Sequence, residues 1–347
     1  MSEAADAAAK FRPHFETVAS GGTLSEEEAA SAFDAIMEGG VSELQLAGFL
    51  VTMRARGETV DEIAGAVRAM RGKMRKVSAP AGAIDVVGTG GDAKGTYNVS
   101  TATAFVLAGA GVPVAKHGNR AVSSKSGAAD VLENLGVNLA MTPEDAEACL
   151  TETGMAFLFA PTYHPAMRHA APVRAGLKLR TIFNLLGPLS NPAGTQRQLL
   201  GVFSDVWLEP LAEAMRRLGA EHVWVIHGAG GIDELSTMGA SQVVELKDGV
   251  LRRFQVGPED LKLKPVTLAE LVGGAPADSA AAIRELLAGK PGPFRDIVLL
   301  NAAAAFVIAG KADALKDGME LAAASIDEGK AAAALERLIA RGKAPTS

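Results

Sequence analysis

From Ile84 onward, short apolar runs that read as strands alternate with stretches of helical periodicity, and this alternation narrows the fold more than any other feature. Strands are expected at 84–87, 112–115, 155–159, 198–203 and 222–227. Helices are expected near 100–109, 127–135, 143–153, 207–218 and 294–309. A strand can pair in parallel with the next only through a crossover, and a helix is the usual crossover. The expected fold class is therefore α/β, a mostly parallel sheet flanked by helices. Runs 241–246 and 251–256, joined by Lys247-Asp248-Gly249, predict a hairpin at one edge of that sheet.

The first 75 residues carry a different pattern and predict helices alone. Three starts have capping-box spacing: Thr23 with Glu26, Ser42 with Gln45, and Thr59 with Glu62. Leu46, Phe49, Leu50 and Met53 form one apolar stripe, and Ile63, Val67, Met70 and Met74 another. A boundary at the Ala79-Pro80-Ala81-Gly82 linker divides the chain into a helical part, 1–78, and an α/β part, 79–347.

Lys and Arg number 34 against 40 Asp and Glu, a net charge of -6, which argues against broad nucleic-acid or membrane-surface binding. A single cysteine, Cys149, excludes a disulfide framework within the chain and reads as a buried, inert thiol. Met1-Ser2-Glu3 begins no basic and apolar leader, and the apolar runs are too short to span a bilayer. A soluble cytoplasmic protein is the expectation.

Gly88-Thr89-Gly90-Gly91-Asp92 follows the first expected strand, and Thr96, Asn98, Ser100 and Thr101 lead into an apolar helix. Three glycines in four residues let a ligand approach the backbone, and hydroxyls with free amides at a helix start suit a polyanion. The loop lacks the Gly-Lys-Ser/Thr ending of a Walker A motif and the GxGxxG spacing of a dinucleotide site. A second segment, Lys116 to Gly127, holds three cations and a histidine among serines and glycines, again the composition of an anion cradle. Farther along, Asp233-Glu234 follows the strand 222–227 and a Gly-rich turn; adjacent carboxylates there suit Mg²⁺, although an isolated pair is more often solvated surface.

Gly88-Thr89-Gly90-Gly91-Asp92, Asn98-Val99-Ser100-Thr101, Lys116-His117-Gly118-Asn119-Arg120 and Asn184-Leu185-Leu186-Gly187-Pro188-Leu189 together resemble the anthranilate phosphoribosyltransferases, in order and spacing from about residue 10 to 340. The resemblance implies a nucleoside-phosphorylase-like fold, a homodimer joined through the helical part with helices near 165–195, and association with an anthranilate synthase as an open question. It implies transfer of phosphoribosyl from phosphoribosyl pyrophosphate (PRPP) to the amine of anthranilate, in tryptophan biosynthesis. PRPP would lie on Gly88, Gly91, Asp92, Thr96, Asn98, Val99, Ser100, Thr101, Lys116, His117, Gly118, Asn119, Arg120, Ala121, Val122, Ser123, Ser124 and Ala128. Anthranilate would meet Gly88, Asn119, His164, Arg174 and Pro188, with Arg174 gripping its carboxylate bidentately. Mg²⁺ would be held by Ser100, Asp233 and Glu234. Lys116 would act electrostatically, and no residue is expected as a strong acid or base. Ala128, where many relatives have serine, together with Met167 and Lys178, departs from the family pattern. Pyrimidine nucleoside phosphorylases share the implied fold but lack the Asn119-Arg120 pairing. A nucleic-acid-binding relative should have a basic surface, which the acidic balance opposes.

Overall fold

The computed structural model describes residues 3–121 and 126–343. Four helices come first: α1 (Glu3–Ala19), α2 (Glu26–Met37), α3 (Glu43–Arg56) and α4 (Val60–Lys73). The alternating part follows as β1 (Ile84–Gly88), α5 (Val99–Gly109), β2 (Val114–Gly118), α6 (Ala128–Leu135), α7 (Pro143–Thr153) and β3 (Met155–Phe159). Three short helices, α8 (Ala160–Tyr163), α9 (Ala171–Leu177) and α10 (Phe183–Leu189), precede β4 (Arg197–Gly201), α11 (Leu208–Arg217) and β5 (His222–His227). The hairpin β6 (Ser241–Lys247) and β7 (Val250–Val256) leads to α12 (Leu268–Leu271), α13 (Pro276–Leu287), α14 (Pro293–Ile308), α15 (Leu315–Asp327) and α16 (Lys330–Lys343).

The seven strands lie in the order β3-β2-β1-β4-β5-β6-β7. The first five are mutually parallel, and the hairpin adds two antiparallel strands at one edge, as expected. From β1 the chain runs outward through β2 and β3, then returns to place β4 on the other side of β1. The order therefore reverses between β1 and β4, where ligands of open α/β sheets usually bind, beyond the carboxyl ends of the strands. Alternate strand residues feed two cores. Ile84, Val86, Val114, Leu199 and Ile226 pack with α5 and α14. Leu200, Val223, Val225 and Val244 pack instead with α11 and the N-terminal helices.

The second core continues into the helical bundle, where Phe11 and Phe33 both meet Phe49 edge-on. Phe33 also meets Phe183 of α10, with ring centroids 5.6 Å apart. Thr59 caps α4 in a full capping box, and Ser42 caps α3. At α2 the cap is Ser25 with Glu28, not Thr23 with Glu26. The Leu24 side chain is buried and its amide donates to Glu62 Oε1 at 3.0 Å, which ties the chain to α4 and delays the helix start by two residues. Met74 likewise falls beyond the end of α4, half-buried.

β2 runs from Val114 to Gly118, not 112–115. The Val112 amide closes the end of α5 by donating to Leu107 O, and Pro113 has no N–H to give, so pairing with β3 starts at Val114. Lys116 and His117 are consequently strand residues rather than loop residues. β4 ends at Gly201, two residues before the expected 203. Cys149 is buried, its Sγ donating to Met155 O, and burial raises its pKa above the usual thiol range. Among the described residues no helix is long and apolar enough to cross a membrane.

Candidate active site

A cavity of about 570 Å³ opens at the carboxyl ends of β1, β2 and β3. Its first wall is the loop after β1. Thr89 N donates to Gly201 O at 2.8 Å, and Thr89 Oγ1 accepts from Phe203 N at 3.1 Å, so the loop is laid across the end of β4. Gly90 and Gly91 take φ of 68° and 77°, a conformation that a side chain would strain. The loop ends at Asn98, the N-cap of α5, whose side chain makes no capping bond there. Its Oδ1 accepts instead from Ser126 Oγ, and the Ser100 amide in the first turn donates to Glu234 Oε1 at 3.0 Å.

Asp233 and Glu234 form the floor. Asp233 Oδ2 accepts from Gly90 N at 2.7 Å. A Cβ at Gly88 would lie 2.2 Å from that same oxygen, and one at Gly201 would lie 1.7 Å from Asp233 O. β4 must end in glycine for the carboxylate loop to sit where it does, and a side chain at Gly88 would displace the Asp233 carboxylate itself. Lys116 is buried, with Nζ donating to Val86 O at 2.6 Å and Ser100 Oγ at 3.2 Å. Behind it, Asp85 accepts from Asn191 Nδ2 at 2.7 Å and from the His117 amide at 3.3 Å.

Burial dominates the electrostatics of this floor. It pushes Asp233 up to about 7, with the Asp92 carboxylate adding to the rise, and Glu234 up to about 8, with Asp233 adding to it. Burial also lowers the pKa of Lys116, against the pull of the three carboxylates Asp85, Glu234 and Asp233. Asp92 Oδ2 is buried without a hydrogen-bond partner. Three clustered carboxylates facing a single ammonium are short of positive charge, and an all-oxygen donor set of this kind suits a hard divalent cation. Among the described residues no three acidic, imidazole or thiol groups close a cage by themselves. Asp233 and Glu234 with Ser100 Oγ near them are a donor set of oxygens, of which Mg²⁺ takes one or two protein carboxylates and leaves the rest to phosphate oxygens and water.

Two family models match the chain, a glycosyl transferase family helical bundle domain over residues 12–74 and a glycosyl transferase family a/b domain over residues 81–332. The anthranilate phosphoribosyltransferase of Rhodopseudomonas palustris (strain HaA2) is 55% identical over 330 residues, covering 95% of this chain and 98% of the relative. The chain belongs to the anthranilate phosphoribosyltransferase family. The enzyme of that name from Rhizobium johnstonii is 57% identical over 330 residues, covering 95% of this chain and 97% of its own. The crystal structure of the Thermus thermophilus anthranilate phosphoribosyltransferase matches with a TM-score of 0.90 at 48% identity, covering 95% of this chain and 99% of that one. The Saccharomyces cerevisiae enzyme in complex with PRPP and Mg matches with a TM-score of 0.89 at 27% identity, covering 96% of this chain and 98% of that one.

In this member of the anthranilate phosphoribosyltransferase family the opposite wall of the cavity comes from β2 and the short helices. His117 and His164 stand with ring centroids 5.1 Å apart, both with Nε2 buried and without a hydrogen-bond partner. Burial lowers His117 to about 3, with His164 adding to the fall, and His164 to about 4. Both rings are neutral at pH 7. Arg174 stacks its guanidinium 5.3 Å from the Phe183 ring centroid and faces the cavity. Gln198 Nε2 donates to Pro188 O at 2.8 Å, which ties α10 to β4.

Of the residues expected to contact ligands, Gly88, Gly91, Asp92, Thr96, Asn98, Ser100, Lys116, His117, Gly118, Asn119, Arg120, Ala121, Ala128, His164, Arg174, Pro188, Asp233 and Glu234 line this one cavity. Val99 and Thr101 do not; their side chains are buried and leave only backbone near the start of α5. Arg120 lines the cavity but pairs its guanidinium with Asp130 at 2.9 Å and Glu133 at 2.8 Å. Val122, Ser123 and Ser124 lie outside the described residues. The cavity also takes in Met70, Tyr97, Arg168 and Phe183. Met70 belongs to the apolar stripe of α4, which carries no sign of a ligand site. Arg180, also unforeseen, stacks 4.3 Å from the Phe203 ring centroid, with its Nε only 2.9 Å from where a Cβ on Gly91 would stand.

Proposed function

We propose that this chain transfers the 5-phosphoribosyl group of PRPP to the amine of anthranilate, giving N-(5-phosphoribosyl)anthranilate and pyrophosphate, a step of tryptophan biosynthesis. The observation that carries the reading is the buried carboxylate pair hydrogen-bonded to both the glycine loop and the first turn of α5. Relatives are named for this activity, and solved neighbours hold PRPP with Mg, or 4-fluoroanthranilate.

The amides of the glycine loop and of the α5 N-terminus draw the diphosphate. Lys116 fixes Ser100 Oγ and adds positive charge beside it. Asp233, Glu234 and Ser100 would hold Mg²⁺ together with diphosphate oxygens and water; when bound, it neutralises charge developing on the leaving group. Arg174 pairs with the acceptor carboxylate and aims the amine at C1 of the ribose. The C1–O bond to pyrophosphate breaks as the N–C1 bond forms, and the amine proton passes to solvent or to the departing pyrophosphate. The neutral rings of His117 and His164 put no charge on the acceptor wall, and an aromatic amine is already a free base at pH 7. Positioning of the two substrates then supplies much of the rate.

We propose further that residues 1–78 and 79–347 are the two structural units, and that the helical unit pairs two copies of the chain. The exposed Leu44 and Val51 on α3 support that surface. A fluorescence assay of anthranilate consumption with PRPP, with Mg²⁺ or with chelator, tests the reaction. The reading predicts Mg²⁺-dependent loss of anthranilate matched by pyrophosphate release. Phosphorolysis of thymidine, or tight DNA binding without transfer, would replace it.

A further inference from the structure

Helix α14 is almost wholly apolar and buried, from Ile297 through Leu300 and from Ala302 through Phe306. Asn301 breaks that run and is itself fully buried. A polar side chain at such a place costs stability unless every group is satisfied. Here each is. Asn301 Oδ1 accepts from Leu235 N at 3.0 Å, while Nδ2 donates to Leu235 O at 2.9 Å and to Ile297 O at 2.8 Å. The amide can face only one way, since a flip would set its NH₂ against the Leu235 N–H.

One side chain thus meets both backbone groups of one residue, as a neighbouring strand would. That residue directly follows Asp233-Glu234. The strand ends press on the same loop through Gly88 and Gly201, and Ser236 N is held by Ser241 Oγ at 2.9 Å. Asn301 supplies the hold from the helix layer, fixing the peptide plane that leads out of Glu234. An aliphatic side chain would fill the space but would leave the Leu235 N–H and C=O buried and unpaired.

We propose that Asn301 is a positioning residue for the Asp233-Glu234 carboxylate pair, holding both carboxylates in the arrangement that receives a cation-bound diphosphate. The inference rests on the donor site proposed above. Removing a group that orients metal-binding residues typically weakens metal affinity about 10- to 100-fold. N301A should therefore raise the half-saturating Mg²⁺ concentration and the PRPP KM at least about tenfold, with excess Mg²⁺ restoring kcat and the anthranilate KM changing less than about twofold. Without catalysis, the thermal stabilisation given by pyrophosphate plus Mg²⁺ should shrink, and backbone amide exchange at 235–236 should quicken. In N301D, burial against the Leu235 and Ile297 carbonyls favours the neutral carboxyl, which keeps an acceptor for Leu235 N and one of the two donors; it should shift the same quantities less, and it decides the comparison if N301A does not fold. A folded variant with the wild-type Mg²⁺ titration and pyrophosphate stabilisation overturns the role of Asn301 alone. A wild-type chain without Mg²⁺-dependent pyrophosphate release overturns the donor site, and the role of Asn301 with it.

Discussion

At Gly201 the fold and the proposed chemistry meet in a single hydrogen atom. A methyl group there would overlap Asp233 O at 1.7 Å, and the neighbouring contact is backbone that cannot swing away. Gly201→Ala should cost more than about 3 kcal/mol, read as a fall in denaturation midpoint, and should reduce transfer more than stability alone explains. A variant as stable and active as wild type would show that the loop has freedom the packing denies. Arg174 leads to a different prediction because its proposed partner is the other substrate. Arg174→Ala should raise the anthranilate KM at least about tenfold, the loss of a charged hydrogen-bonded pair, and the PRPP KM much less. Equal effects on both constants would remove the assigned role.

His164 yields a stability prediction with a definite sign. Burial holds its folded pKa near 4, below the ordinary 6.5, so folding favours the neutral ring. Its contribution is complete above pH 6.5 and is lost as the pH falls from there toward 4. Asp233 and Glu234, raised to about 7 and 8, act in the opposite sense, losing stabilisation as the pH rises. Comparison with a variant therefore isolates the histidine. His164→Gln should flatten the acid limb of the stability profile by up to about 3 kcal/mol between pH 6.5 and 4. Parallel profiles for the two proteins would contradict this.

Among the elements, the helical bundle does more than cap the sheet. Met70 of α4 lines the cavity, and Arg71 beside it donates from Nε to Leu189 O at 2.9 Å, while Arg54 of α3 donates to Arg180 O. The segment that carries Arg174 and Pro188 is thus mounted on the bundle as much as on the sheet. Arg71→Met keeps most of the volume and removes the donor. It should cost about 1–3 kcal/mol and raise the anthranilate KM with little change for PRPP; a change confined to PRPP would mean that the bundle does not shape the acceptor wall. Strand and helix periods located β1, β3, β5 and the hairpin because those runs are continuous and bounded by turns. They misplaced β2, since pairing begins only after Pro113, and they missed the cap at Ser25, since Leu24 is anchored by the distant Glu62. Glycine and hydroxyl patterns marked out the proposed donor loop because its chemistry is local. Arg180, Met70 and Asn301 gave no such signal: each acts on residues far along the chain, and a lone Asn in an apolar helix reads only as an oddity.

At the scale of the molecule, the reversal of strand order between β1 and β4 opens one crevice, and the glycine loop, the α5 N-terminus and the carboxylate pair all face it. On the proposed function, this crevice grips a cation-bound diphosphate between residues 88–101 and the Asp233-Glu234 pair. Crystals of the full chain grown with PRPP and Mg²⁺ decide whether it does. The diphosphate should lie along the glycine loop and the α5 amides, with the cation against Asp233, Glu234 and Ser100. Density for the ligand elsewhere, for example in the groove between α11 and β7, with this crevice empty, would contradict it.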